Sequence, residues 1–248
     1  MSRRGRSSAE CLAIVLLAAA APAFAQHGDP GIGGTWEPSF ARNGNPGARS
    51  PQADPPLKPE YLAQWQAREA QRRAADARGE PLATAATFCL PQGMPAMMGG
   101  GGPFPTEILL SDGQVTVIQE AYTQVRRIYL DRPQVRLAEI EPGFYGRSVG
   151  RWEDDTLVVD TIGIKDTVRY RDIPHSLNMR ITERIRRVEP DVLEDDITIV
   201  DPDVLEEPWR FIFTLRRLPD YEMMEYVCED NREYADSDGT TRLRIDFE

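Results

Sequence analysis

The feature that most constrains the fold of this 248-residue chain is a succession of short strand-like runs joined by tight turns. Asp112-Gly113 is typical of a two-residue hairpin turn, and Asp154-Asp155 occupies the same place between two other runs. The predicted strands span Glu107 to Leu110, Gln114 to Gln119, Gln124 to Leu130, Val149 to Glu153, Thr156 to Thr161, Leu177 to Val188, Val192 to Val200, Trp209 to Arg217 and Met223 to Cys228. Short strands joined by tight turns form an antiparallel meander, whose exposed edges are removed when it closes into a barrel or protected when it folds into a sandwich. We therefore predict an all-β domain over residues 106–232, an antiparallel up-and-down barrel of about nine or ten strands, with a sandwich as the alternative.

The first 25 residues have the pattern of a cleaved export signal. Three arginines precede an apolar run from Leu12 to Ala21, and Ala23-Phe24-Ala25 fits a cleavage box. We expect the mature protein to begin at Gln26 and to be periplasmic or secreted. The apolar run is shorter than the roughly 20 residues of a membrane-spanning helix, so no membrane insertion is expected.

The charge of the chain limits its partners. The formal net charge is −11, and removal of residues 1–25, which hold three Arg and one Glu, brings it to −13. An acidic surface repels phosphate backbones and anionic lipids. The composition therefore argues against nucleic acid and leaves a small molecule as the expected partner, with oligomeric state open.

Cysteine usage predicts one disulfide. Cys11 leaves with the signal, so Cys89 and Cys228 remain in an oxidising compartment, where pairing is favoured. Two free thiols or a metal pair are the alternatives. A bridge across so long a loop stabilises by at most about 5 kcal/mol in the chain-entropy model.

The rest of the chain divides by composition. Residues 26–56 predict extended coil containing a first strand at Gly34 to Glu37. Residues 57–79 predict a surface helix, with Pro59 at its opening and Gly79 as its stop. Residues 80–105 form a Met/Gly/Pro loop, and residues 233–248 an acidic tail.

Several motifs resemble those of one family. The run VGRWEDDTLVVDT from Val149 to Thr161 resembles a hallmark of a large group of uncharacterised exported bacterial proteins. The same group is suggested by VRRIYLD at 125–131, PHS at 174–176, CLPQGMP at 89–95 and EYVCE at 225–229. This resemblance covers residues 87–232 and implies no particular activity. Arg147 departs from the small polar residue or His that the pattern leads us to expect.

A second resemblance concerns the fold. Gly34-Thr35-Trp36, at the start of the all-β region, is similar to the Gly-x-Trp opening of lipocalin-like barrels. The resemblance implies a lipocalin-like barrel, in which alternate residues of each strand point inward.

Three charged residues lie on otherwise apolar strand faces: Arg127, Glu183 and Glu225. Inward-facing charges are costly unless they pair or line a polar cavity, so together they predict a polar interior site. Inverted registers, or charges at wet strand ends, are the alternative. The other residues predicted to contact a ligand are Trp36, Glu120, Tyr129, Asp131, Trp152 and Phe213, with Met94 to Phe104 as a mobile lid.

Histidine usage narrows the possible chemistry. Only His27 and His175 remain after cleavage, which excludes a multi-histidine metal site. No phosphate loop, dinucleotide fingerprint or zinc pattern occurs, so neither metal nor cofactor is expected. Met94, Met97 and Met98 are possible copper(I) ligands, although such a loop is more often an adaptable apolar flap.

Two functions follow from these residues. The first is an exported small-molecule-binding barrel with a polar interior site for a partly apolar ligand. The second is a metal-independent lyase, isomerase or cyclase, with His175 as general acid or base, Arg127 stabilising developing negative charge and Glu183 orienting them. A chain that docks a partner through its helix is a third class.

Overall fold

The computed structural model describes residues 31–39, 54–228, 233–235 and 241–243. The predicted export signal, His27 and most of the first coil lie outside the described residues. Within the described part of the chain, no helix is long and apolar enough to cross a membrane.

Nine strands form one closed barrel, which confirms the all-β prediction. Each strand pairs with the next along the chain, and the first pairs with the last to close the ring. The strands are β1 (Gly34–Pro38), β2 (Thr106–Ser111), β3 (Gln114–Gln119), β4 (Gln124–Leu130), β5 (Arg147–Glu153), β6 (Thr156–Ile162), β7 (Arg180–Glu189), β8 (Val192–Val200) and β9 (Trp209–Arg217).

The prediction of a purely antiparallel barrel is wrong at one place, because β4 and β5 run parallel. Strand direction can alternate all the way round a closed ring only if the number of strands is even. Nine strands therefore require a parallel pair, and a parallel pair needs a long crossover connection. Residues 131–146 form that crossover and include a short 3₁₀ helix, Leu137–Glu139.

The two ends of the barrel carry different connections. Tight turns join β2 to β3, β5 to β6 and β7 to β8 at one end. The opposite end, which we call the long-loop end, carries residues 163–179 between β6 and β7 and residues 201–208 between β8 and β9. Loops at one end of a rigid barrel are the usual carriers of function.

One α-helix lies at the long-loop end. Helix α1 (Pro59–Ala77) begins with Pro in its first turn and is followed by Gly79 at φ 73°, as the sequence predicts. Trp65 is buried, and its indole Nε1 donates to the Arg171 carbonyl at 2.9 Å. This contact ties the helix to the β6–β7 connection.

The predicted mobile lid is instead packed into the barrel. Met94, Met97 and Met98 belong to the hydrophobic core and are at most 2% exposed. The amide of Met94 donates to the Phe144 carbonyl at 2.9 Å. A Cβ on Gly100 would lie 2.5 Å from the Tyr170 ring, so close packing requires glycine there. We call residues 93–100 the plug, because they fill the long-loop end of the core.

The segment from Met223 to Cys228 is coil, so the strand predicted there is wrong. Its position is fixed by Glu120, whose carboxylate accepts the Tyr221 hydroxyl at 2.7 Å and the Met224 amide at 2.9 Å. Cys228 forms the predicted disulfide with Cys89. Within the predicted acidic tail, β10 (Glu233–Ala235) pairs with β11 (Thr241–Leu243).

Candidate functional site

A buried polar network crosses the barrel interior on neighbouring strands. Arg126 on β4 pairs end-on with Glu183 on β7: its Nη1 donates to Oε1 at 2.8 Å, and its Nη2 contacts Oε2. The same guanidinium donates to Ser148 at 3.1 Å and Thr161 at 2.9 Å, on the two strands between. Both charges are at most 1% exposed. The guanidinium therefore donates to three side chains, and such hydrogen bonds help a buried ion pair to offset its desolvation.

Arg126, and not Arg127, is the interior cation. Arg127 is exposed, so its predicted inward orientation is wrong by one residue. The sequence offered two faces of β4, one with Val125 and Tyr129 and the other with Gln124 and Ile128. Directly paired residues lie on the same face of a sheet, so the pairing of Arg126 with buried Val117 and of Ile128 with buried Val115 turns the second face inward. The inward orientation of Glu183 is as predicted.

Asp195 on β8 completes the interior network. It pairs across the strands with Ile185, two residues from Glu183, and both its carboxylate oxygens are buried without a conventional donor. Burial raises its pKa well above the usual range, and the Glu183 charge adds to this effect while Arg126 opposes it. A protonated Asp195 can donate to Glu183, which leaves the network electrically neutral. The apolar face Leu193, Asp195, Ile197 carried the same signal that identified Glu183.

The third charge predicted for the interior is placed elsewhere. Glu225 is exposed and lies in coil, because no strand forms there. Asp131 is exposed just beyond β4, and Tyr129 is half-buried, with the guanidinium carbons of Arg132 and Arg147 at 5.2 and 5.9 Å from its ring centroid. These residues do not join Glu183 in the interior.

The predicted aromatic walls are part of the core. Trp36 and Phe213 are fully buried, and Trp152 packs against the core from β5. The Trp36 indole Nε1 donates to the Ile32 carbonyl at 2.8 Å. Glu120 holds the chain at residues 221–224, and its hydrogen bond raises the pKa of Tyr221 to about 12. Contact of these residues with a ligand stays a prediction.

An inner pocket of about 30 Å³ lies at the long-loop end of the barrel and has His175 and Asp201 in its mostly apolar lining. Burial lowers the pKa of His175, and the charge of Arg169 adds to this effect. The carbonyls of Ser176 and Val168 and the charge of Asp201 oppose it only in part. The Ser176 carbonyl lies 2.9 Å from Nδ1 and can only accept, so Nδ1 carries the proton of the neutral ring. Nε2 is then an unprotonated acceptor, buried and without a hydrogen-bond partner among the described residues.

Asp201, which belongs to the Asp201-Pro202 motif of the family resemblance but has no predicted role in a site, is engaged in local structure. Its carboxylate accepts the Ser176 amide at 2.6 Å and the Ser176 hydroxyl at 2.8 Å. It therefore fixes the turn that carries His175. His175 does not share a described pocket with Arg127 or Glu183, so their predicted cooperation stays a prediction.

A much larger groove, of about 720 Å³, adjoins this region on the outside of the plug. It runs between α1, residues 83–101 and residues 167–172 of the β6–β7 connection. Its apolar lining includes Phe88 and Leu90, which are 59% and 44% exposed. Its charged lining is Arg68, Glu69, Arg72, Arg169, Arg171 and Asp172.

In the described part of the chain, no group of three or more His, Cys, Asp or Glu residues is arranged to hold a metal ion. The sulfur-bearing side chains of Met94, Met97 and Met98 lie in the hydrophobic core.

The fold and these cavities define the protein as a closed nine-stranded β-barrel with a filled interior and an open groove beside its long-loop end. Comparison with protein-family models and with curated proteins gives no match to this chain.

Proposed function

We propose that this chain is an exported, lipocalin-like barrel that binds a small, partly apolar molecule in the groove. The observation that carries the proposal is the combined size and lining of the groove, about 720 Å³ with exposed Phe88 and Leu90 on its wall. Sites for small molecules have volumes of roughly 300 to 1,000 Å³ and mostly apolar linings. Covering large apolar side chains that are in contact with water is favourable, so it contributes to the free energy of binding.

The groove is a better site than the barrel interior that the sequence favoured. The interior is occupied by the Arg126–Glu183 pair and by the plug, both buried. The inner pocket of about 30 Å³ has room for about two water molecules. A ligand of ordinary size would have to displace core side chains there, whereas the groove is open among the described residues.

The test uses 1-octanol as an uncharged, partly apolar probe, titrated into the mature protein by calorimetry. Ala86 lines the groove, so we expect Ala86→Trp to fill it and weaken octanol binding by about tenfold or more, which is at least about 1.4 kcal/mol. Ala70→Trp, on the exposed part of α1 outside the groove, is the matched control and should bind as wild type. Absence of octanol binding to wild type, or equal binding by both variants, would overturn the proposal.

Export is tested separately by expressing the full chain with its native start in a Gram-negative host. Intact-mass measurement of the periplasmic product should give a chain beginning at Gln26. A product that retains residues 1–25, or that stays in the cytoplasm, would contradict this part of the proposal.

A second candidate function is proton-transfer catalysis by His175. The observation that favours it is the neutral ring with an unpartnered Nε2 lone pair, since a general base must be unprotonated near neutral pH. Nitrogen-15 NMR of the imidazole should show the Nδ1-protonated tautomer, with a pKa below that of a free histidine. A proton on Nε2 at pH 7 would leave no base there and would remove this candidate.

A further inference from the structure

The groove differs in charge from the rest of the molecule. Its lining holds four arginines and two acidic residues, whereas the whole chain has a formal net charge of −11. A negative chain repels anions at long range, so any anion that binds must be held by cations at short range. The four arginines of the groove supply such cations on an otherwise acidic protein.

Two of the groove arginines are already neutralised by carboxylates of this chain. Arg72 contacts Glu69 at 2.7 Å and Asp172 at 3.8 Å, so both acids of the groove face the same guanidinium. Arg171 contacts Asp54 at 3.3 Å. Neither acidic residue of the groove forms an ion pair with Arg68 or Arg169 within 4 Å.

The other two, Arg68 and Arg169, have no ion pair among the described residues. Arg68 donates only to the Gln71 amide oxygen, at 3.2 Å. Arg169 uses Nη1 alone, which donates to the backbone carbonyls of Asp166 and Val168. Two guanidiniums that form no ion pair within the described part of the chain thus lie in one groove.

The unused atoms of Arg169 have the geometry of a carboxylate site. Its Nε and Nη2 form the edge of the guanidinium that accepts a planar anion with two parallel hydrogen bonds. This chain uses the same edge elsewhere: Arg180 binds Asp160 through Nε at 2.5 Å and Nη2 at 2.8 Å. Arg169 presents the equivalent edge, and no acceptor for it lies among the residues that the structure describes.

Arg169 is an exposed residue whose guanidinium is nevertheless partly desolvated. Burial lowers the pKa of Arg169, and the charges of Asp166 and Asp172 offset the effect only in part. A desolvated charge gains more from a direct partner than a fully hydrated one does. Phe88 and Leu90, in the same groove, supply apolar surface for the remainder of the ligand.

We propose that the groove selects an amphipathic monocarboxylate, with its carboxylate on the Nε and Nη2 edge of Arg169 and its apolar part against Phe88 and Leu90. Arg68 adds a second positive charge to the same site. This assignment rests on the proposed binding function and names the chemical class of its ligand.

The test compares octanoate with 1-octanol, which share an apolar chain and differ in the charged group. Calorimetric titration of the mature protein should show tighter binding of octanoate, and added salt should weaken octanoate but not octanol. Arg169→Gln should weaken octanoate by about tenfold or more, since hydrogen bonds to charged groups are strong, and leave octanol unchanged. Arg169→Lys keeps the positive charge but cannot donate two parallel hydrogen bonds, so it should bind octanoate more tightly than Arg169→Gln and less tightly than wild type.

Arg210→Gln is the matched control, because Arg210 is an exposed arginine of β9 outside the groove and the net charge changes equally. It should bind both probes as wild type. Equal binding of octanoate and octanol, or equal loss in Arg169→Gln and Arg210→Gln, would overturn the carboxylate assignment and leave the binding function standing. Failure of both probes to bind wild type would overturn the two proposals together.

Discussion

At the scale of single residues, the interior of this barrel depends on which of two adjacent arginines points inward. Arg126 is 1% exposed and bonded to Glu183, Ser148 and Thr161, whereas Arg127 is exposed. Removing the partner of a buried carboxylate destabilises the folded protein far more than removing the partner of an exposed one. Neighbouring residues of the same type therefore differ sharply in their effect on stability.

Arg126→Met should lower the free energy of unfolding by about 3 to 5 kcal/mol, because it leaves Glu183 charged and unpaired in the core. Arg127→Met should change it by less than about 0.5 kcal/mol, as expected for an exposed position. Urea denaturation of the two variants measures both values. Similar losses in the two variants would mean that the register of β4 is wrong.

The double variant Arg126→Met/Glu183→Met isolates the cause. Replacing both members of a buried ion pair by apolar side chains is often neutral or stabilising, because no charge remains to be desolvated. The double variant should therefore be more stable than Arg126→Met alone. A double variant that is less stable would show that packing, and not the unpaired charge, dominates.

Asp195 predicts a pH dependence of stability. Its pKa is raised in the folded state, so above the pH at which an exposed Asp titrates the folded state holds one proton more than the unfolded state. The contribution of Asp195 to the free energy of unfolding is therefore full at low pH and is lost as the pH rises toward the folded pKa. The free energy of unfolding falls over this range by at most about 1.4 kcal/mol per pH unit. Urea denaturation between pH 5 and 9 measures that slope.

Asp195→Asn should flatten this slope, since the amide stays neutral and can still donate to Glu183. Asp196→Asn is the control, because Asp196 is the exposed neighbour on the outer face of β8. If both variants keep the wild-type slope, Asp195 does not carry the additional proton.

At the scale of elements, the coil from Tyr221 to Cys228 is held without belonging to the sheet. Glu120 binds its beginning through a hydroxyl and an amide, and the Cys89–Cys228 disulfide binds its end. Residue 89 lies beside the groove, where Phe88 and Leu90 are exposed. The disulfide therefore restrains one wall of the proposed site.

The variant Cys89→Ser/Cys228→Ser should lower the free energy of unfolding by about 2 to 5 kcal/mol, because the unfolded chain regains the entropy that a 139-residue loop had lost. Equilibrium denaturation of the oxidised wild type and the variant gives the difference. The reduced wild type is the control and should match the variant. A variant as stable as the oxidised wild type would show that the bridge does not form.

At the scale of the whole molecule, the five residues of β1 close the barrel between β2 and β9. Trp36 is the large inward-facing side chain of this strand, and the Arg217 guanidinium carbon lies 4.7 Å from its ring centroid. Without β1, the edges of β2 and β9 would be exposed, and exposed edges promote aggregation. One short strand thus determines whether the sheet is closed.

Trp36→Ala should lower the free energy of unfolding by about 3 to 5 kcal/mol and increase aggregation on heating, because a large core side chain is lost at the closing strand. Thr35→Ala, on the outward face of the same strand, should change stability far less. Thermal unfolding with light scattering measures both effects. Equal behaviour of the two variants would mean that β1 does not close the sheet through Trp36.

Local sequence determined the elements of this protein. β3, β4, β8 and β9 have their predicted bounds, and α1 lies within its predicted range, because alternation, hairpin turns and helix ends are set by near neighbours. The Cys89–Cys228 pair followed from counting cysteines. These features depend on a few consecutive residues or on composition.

Only the tertiary structure decided which faces turn inward and where cavities remain. Alternation within β4 alone is compatible with either face, and the pairing of β4 with the buried residues of β3 places Arg126, not Arg127, in the interior beside Glu183. The parallel β4–β5 pair follows from the closure of an odd number of strands, which depends on the whole ring. The groove gathers Arg68 and Arg169 from segments a hundred residues apart, so no local pattern could have shown that their charges share one site.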